Sequence, residues 1–87
     1  MPTVIVTHDV KDQAHWLAAT TREEFFGPLG VTNIREFTNP SDPAKVGLLM
    51  DVDDLDAVLA ALQTPEAKEA EDKDGVVAET IEMLIEA

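Results

Sequence analysis

His8 and Glu79 are two side chains of this sequence whose chemistry suits proton transfer at neutral pH. An imidazole titrates within the physiological range, and a carboxylate beside it orients the ring and raises its basicity. If a strand over 76–85 pairs antiparallel with one over 3–10 so that Val4 faces Met83 and Val6 faces Ile81, then His8 faces Glu79. Opposed side chains have Cβ atoms about 4.5–5.5 Å apart, within reach of a hydrogen bond. In that arrangement His8 takes a proton from a substrate phenol or enol. The carbanion left behind is electron-rich enough to react directly with oxygen, and in an isomerase or cyclase the same base shuttles the proton. The pair also fits a plainer reading, two partly wet side chains meeting across a sheet edge.

Around this pair the sequence supplies an apolar row, Val6, Met50, Ile81 and Met83, with Trp16 over the same end, and Phe25 on the stripe of the first helix. Trp16 lies off that stripe, and either closes the pocket mouth or packs on a partner subunit. Phe25, Phe26, Phe37, Met50 and Met83 also read as ordinary core. His15 reads as solvent-facing. With two histidines and no cysteine, disulfides and thiolate chemistry are excluded and a transition-metal site lacks donors. The acidic residues Glu66, Glu69, Glu71, Asp72 and Asp74 lack the spacing of a calcium loop. There is no glycine-rich phosphate loop, nucleophile elbow or paired-histidine helix motif, so no cofactor is expected.

Composition narrows the class. The chain has 87 residues, of which 45% are apolar, enough for one folded domain spanning 1–87. A chain this short buries roughly 60% of the surface that its unfolded form exposes, so cover from a partner would help it. Six Lys and Arg face eighteen Asp and Glu, a formal net charge of −12. Nucleic acid and anionic membranes need basic patches and are not expected partners. No apolar run approaches the roughly 20 residues that span a bilayer. No secretory signal opens the chain, and a cytoplasmic location is the expectation.

The elements that must position these groups follow from pattern. Residues 3–10 are rich in β-branched types, with Val4, Val6, His8 and Val10 on one face. Asp12 caps a helix over 13–26 that carries Ala14, Leu17, Ala18, Thr21 and Phe25 on one stripe and ends at Gly27-Pro28. A strand over 31–37 buries Ile34 and Phe37. The Asn39–Pro43 turn leads into a strand over 45–52 with Val46, Leu48, Met50 and Val52 on one face. Asp53 or Asp54 starts a second helix, Thr64-Pro65 restarts it, and Gly75 stops it before the strand over 76–85. Strand four is expected to turn Val77, Glu79, Ile81, Met83 and Ile85 to one side.

This order, βαββαβ, predicts an α+β, ferredoxin-like fold. Its four-stranded antiparallel sheet has both helices on one face and strand one between strands three and four. The other face would carry Ile5, Leu49 and Leu84, with Asp51 at its rim. Apolar residues there predict a covering partner, most simply a second copy packed sheet to sheet.

His8-x-Val10-x-Asp12-x-x-x-Trp16 resembles the opening motif of small proteins of the dimeric α/β barrel superfamily, near the antibiotic-biosynthesis-monooxygenase-like group. Asn39-x-x-Asp42-Pro43-x-x-Val46, Asp53-Asp54-Leu55, and Thr64-Pro65-Glu66 followed by Lys68-Glu69-Ala70 and Gly75-Val76 resemble that group's later turns and helix boundaries. The resemblance implies a homodimer with a ligand between the sheet and helices of each subunit. The activities it spans include cofactor-free monooxygenases, polyketide cyclases, isomerases and haem-degrading enzymes. The haem-degrading members place a histidine on the second helix, and residues 54–74 contain none. Thr20 and Thr21 stand where relatives have bulkier residues, which implies a roomier or more polar pocket at Thr20. Two functions follow as expectations. One is a small cofactor-independent enzyme acting on a hydrophobic or aromatic molecule. The other is a non-catalytic ligand-binding or interaction module.

Overall fold

The computed structural model describes residues 2–87. Strand β1 (Thr3–Val10) runs through the middle of a four-stranded antiparallel sheet, flanked by β3 (Lys45–Val52) and β4 (Val76–Ile85), with β2 (Val31–Thr38) outside β3. The chain is thus the ferredoxin-like α+β arrangement that the order of its elements implies. Val4, Val6, Val10, Val46, Leu48, Met50 and Val52 are buried on the helix side, alternating along β1 and β3 as a half-covered sheet requires.

The helical layer is more broken than its hydrophobic pattern suggests. The expected helix over 13–26 is two short helices, α1 (Gln13–Ala18) and α2 (Thr21–Phe26), followed by a 3-10 turn at Gly27–Leu29. Ala19 between them is extended, and Thr20 begins α2 with Glu23 and Glu24 in its first turn, where carboxylates favour a helix N-terminus. The inward face also differs. Ala14, Leu17 and Ala18 are exposed, whereas Trp16, Arg22 and Phe26 are buried. Burying an indole removes about 150–250 Å² from water, which at about 25 cal/mol per Å² outweighs a stripe composed largely of alanines.

The other helices keep their expected boundaries. Asp54 caps α3 (Leu55–Ala61) through a bond accepted from the Ala57 amide. Thr64 caps α4 (Pro65–Asp74) with Pro65 at its first position, and Gly75 closes it in the left-handed conformation at φ 75°. No helix of the described residues is long and apolar enough to cross a membrane.

Two bulges set which side chains face the helices. In β2, Asn33 takes φ 56° and the register to β3 shifts by one between Thr32 and Arg35. Every residue after it changes sides. Glu36 pairs opposite the buried Leu48, while Phe37 pairs opposite Gly47 and is 50% exposed on the bare face. The expectation of a buried Phe37 is corrected by that one extra residue. In β4 the irregularity is larger. Val10 faces Val76 and Val6 faces Met83, so four steps on β1 answer seven on β4. Thr80 bridges the gap: its hydroxyl accepts from the Asp9 amide at 2.8 Å and donates to the Val77 carbonyl at 2.6 Å.

Candidate functional site

The β4 bulge decides the fate of the His8–Glu79 pair. Val4 faces Ile85 and Val6 faces Met83, two residues away from the expected register. Glu79 lies within the bulged stretch and is exposed, with no hydrogen bond to His8. The expectation that Val77 and Glu79 share a side with Ile81 and Met83 fails for the same reason, because the odd number of steps between Val76 and Met83 reverses the alternation.

His8 itself points toward the helices, 7% exposed, its ring edge-on to Trp16 at 5.7 Å between centroids. With a proton on Nδ1 the ring donates to the Asp9 carbonyl at 3.3 Å, which leaves Nε2 as the acceptor. Burial pushes the imidazole below its ordinary value of 6.5, and the Arg22 cation acts in the same direction. The Asp9 carbonyl and the carboxylates of Asp9 and Asp74 oppose that shift without cancelling it. His8 is therefore neutral at pH 7, the form that accepts a proton.

Beside it is a cluster that the sequence pattern did not reveal. Arg22, 5% exposed, lies over the Trp16 ring with its guanidinium carbon 4.4 Å from the centroid. Its Nη1 donates to Asp74 Oδ2 at 3.4 Å, and its Nη2 to Glu36 Oε1 at 3.2 Å. Nη2 also reaches the carbonyls of Trp16 and Ala19, at 2.9 and 3.2 Å, so the side chain satisfies the open end of α1. The signals for this cluster were indirect. Thr20 followed by Glu23 marks a helix start, which turns Arg22 inward. The bulge at Asn33 that aims Glu36 at Arg22 has no clear mark in the sequence.

His8, Trp16, Arg22 and Asp74 belong to the wall of a cavity of about 360 Å³ between the sheet and α2, α3 and α4, within the range of small-molecule sites. Of the candidate binding residues, Val6, Trp16, Phe25, Ile81 and Met83 line it together with His8. Two others stand elsewhere. Thr20 is exposed and donates to Glu24, because the helix breaks at that point. Met50 is fully buried in the core of β3. Glu71, from α4, lines the cavity, and burial with the neighbouring Asp72 raises its carboxyl above the ordinary value. His15 is exposed, as its place at a helix start suggests, and its Nε2 lies 2.8 Å from the Lys73 carbonyl.

The opposite face of the sheet carries Ile5 at 40% exposure and Leu84 at 60%, paired across β1 and β4, with Leu49 half-buried beside Ile5 on β3. Thr3 and Asn33 both donate to Asp51 on β3, at 3.1 and 3.3 Å.

No protein-family model matches the chain, and no curated protein is similar to it in sequence. Solved structures are similar along nearly the whole chain. An antibiotic-biosynthesis-monooxygenase-type protein of Bordetella bronchiseptica superposes with a TM-score of 0.75 at 17% identity, covering 99% of this chain and 94% of that one. SnoaB, a cofactor-independent oxygenase of Streptomyces nogalater, does so with a TM-score of 0.71 at 16% identity, over 99% of this chain and 90% of its own. A Nitrosomonas europaea protein of the monooxygenase type gives 0.67 at 19% identity, over 100% and 97%. The likeness is one of fold.

Proposed function

We propose, from the fold that this chain shares with the antibiotic-biosynthesis-monooxygenase-like proteins, that it is a small cofactor-independent enzyme acting on a hydrophobic or aromatic molecule bound between sheet and helices. The observation that carries this reading is a neutral, buried His8 on a cavity of about 360 Å³ whose other walls are largely apolar. A cavity of this kind with a base on its wall desolvates an acidic C–H or O–H while offering a proton acceptor. The fold likeness to SnoaB supports oxygenation as the first reaction to test. On an anthrone-like ring, His8 removes a proton and the carbanion adds oxygen. The resulting peroxide collapses to a ring carbonyl, with the second oxygen atom leaving as water.

Oxygen uptake with dithranol, a hydroxyanthrone, is the direct assay. His8→Gln, which keeps the volume of the side chain and removes the basic nitrogen, is expected to lower kcat/KM by about 100-fold, the size of a general-base contribution, with folding intact by circular dichroism. The acid limb of the wild-type profile should lie below pH 6.5, because burial lowers the pKa of His8. Turnover that is unchanged in His8→Gln sinks the assignment. The exposure of Glu79, which leaves His8 without a carboxylate at that position, favours the second reading, a binding module without turnover. For that reading, ligand uptake persists with no oxygen consumption.

The assembly proposed with this function is a homodimer joined through the bare sheet face at Ile5, Leu49 and Leu84. Exposed apolar side chains on two neighbouring strands and a groove of about 740 Å³ across that face support it.

A further inference from the structure

Two side chains pack on the buried Trp16 ring. His8 meets it in a T-shaped contact, 5.7 Å between centroids with the planes at 80°. Arg22 lies over it, its guanidinium carbon 4.4 Å from the centroid. The indole is fully buried and Arg22 is 5% exposed, so a turn of the indole has to displace the guanidinium. Arg22 is itself tied to three further elements. It donates to the Trp16 and Ala19 carbonyls at the end of α1, to Asp74 on α4 and to Glu36 on β2. A planar guanidinium serves such a spread of acceptors while stacking on a ring, and an ammonium, a single point charge, does not.

The same side chain sets charge beside the base. The groups whose charge acts on His8 are Asp9 on β1, Arg22 on α2 and Asp74 on α4. Lys45 of β3 pairs with Asp9 at 3.6 Å, Glu36 of β2 pairs with Arg22 at 3.2 Å, and Glu71 of α4 lines the same cavity. Arg22 opposes protonation of the imidazole, whereas Asp9 and Asp74 favour it. Arg22 and Asp74 are thus a cation and an anion in contact, at 3.4 Å, that pull on the base in opposite directions.

We propose that Arg22 is a positioning residue for His8: it clamps the Trp16 ring that His8 packs against, and its charge, tempered by Asp74, sets the field at the imidazole. Arg22 takes this role from the reading of His8 as the base of the cavity, and adds to that reading what holds the base in place.

Nuclear magnetic resonance tests the role without substrate. The chain has two histidines and one tryptophan, so the ring signals are few, and comparison with His8→Gln assigns them. Two quantities are followed: the pH midpoint of His8, and the Overhauser contact between the rings of His8 and Trp16. Arg22→Gln removes clamp and charge, and should raise the midpoint and weaken the contact. Arg22→Lys keeps the charge and loses the fork. It should weaken the contact while its midpoint stays closer to that of the wild type. Asp74→Asn keeps the shape and removes the opposing charge, and should lower the midpoint with the contact intact. Arg22→Gln strands two carboxylates, and if it does not fold, the other two variants decide. A contact unchanged in the arginine variants overturns the clamp. A midpoint that rises in Asp74→Asn as well, as water entering a loosened site would cause, overturns the field. With dithranol, the acid limb of turnover should follow the midpoint from variant to variant. Midpoints that move as expected without any turnover of dithranol remove the enzyme reading and leave the control of His8 by Arg22 standing.

Discussion

At the scale of single residues, His8 couples stability to acidity. Its folded-state pKa lies below the unfolded value near 6.5, chiefly because burial disfavours the imidazolium. The unfolded chain therefore binds the extra proton first as pH falls. The contribution of His8 is complete above pH 6.5 and is lost as pH drops toward the folded value. Urea midpoints measured between pH 7.5 and 5 should fall more steeply in the wild type than in His8→Gln, and equal slopes would exclude this origin. The candidate site was legible to this depth: a helix-facing His8, apolar Val6, Ile81 and Met83, and an aromatic at Trp16. Arg22 and Asp74 were not, because a charged residue is usually solvated, and only the break at Ala19 and Thr20 turns this arginine into the core.

At the scale of elements, the bulges carry the information that alternation cannot. Asn33 at φ 56° is a position for asparagine or glycine. Asn33→Val should destabilise by about 1–2 kcal/mol, the cost of a β-branched residue in the left-handed region, whereas Asn33→Gly should stay within about 0.5 kcal/mol. Denaturant unfolding of the two variants separates them, and equal losses would assign the effect to the Asn33–Asp51 hydrogen bond instead. Strand order, strand limits and the caps at Asp12, Asp54 and Thr64 were legible because each has a local cause in the sequence. The register of β4 was not. Four residues, Ala78, Glu79, Thr80 and Ile81, stand there against His8 alone, three more than a regular ladder holds, and none announces a bulge. One misplaced register then misplaced a whole constellation, setting Glu79 against His8 when Thr80 is the residue that bonds back to β1.

At the scale of the whole molecule, the bare face and the net charge oppose each other. Pairing two sheets covers Ile5 and Leu84, yet brings together two chains of formal charge −12. The proposed dimer should therefore tighten as salt rises, since the Debye length falls to about 8 Å at 0.15 M ionic strength. Sedimentation at low and physiological salt should show this shift. Leu84→Glu, at a position 60% exposed in one subunit, should give a monomer at both while keeping its secondary structure. A wild type that stays monomeric at high concentration in both buffers would exclude the dimer.

The bulge between Val76 and Met83 has a consequence for how such a cavity changes over time. It joins two half-strands whose inward sides are out of phase, so the length of this short stretch acts as a switch. Deleting one residue would leave six steps between Val76 and Met83, and ordinary alternation would then keep both on the cavity side, whereas deleting two would leave five and set them on opposite sides of the sheet. A lineage can therefore lose one codon here and keep Ile81 and Met83 as the wall of the pocket, while a second loss would exchange them for the side chains that now face away.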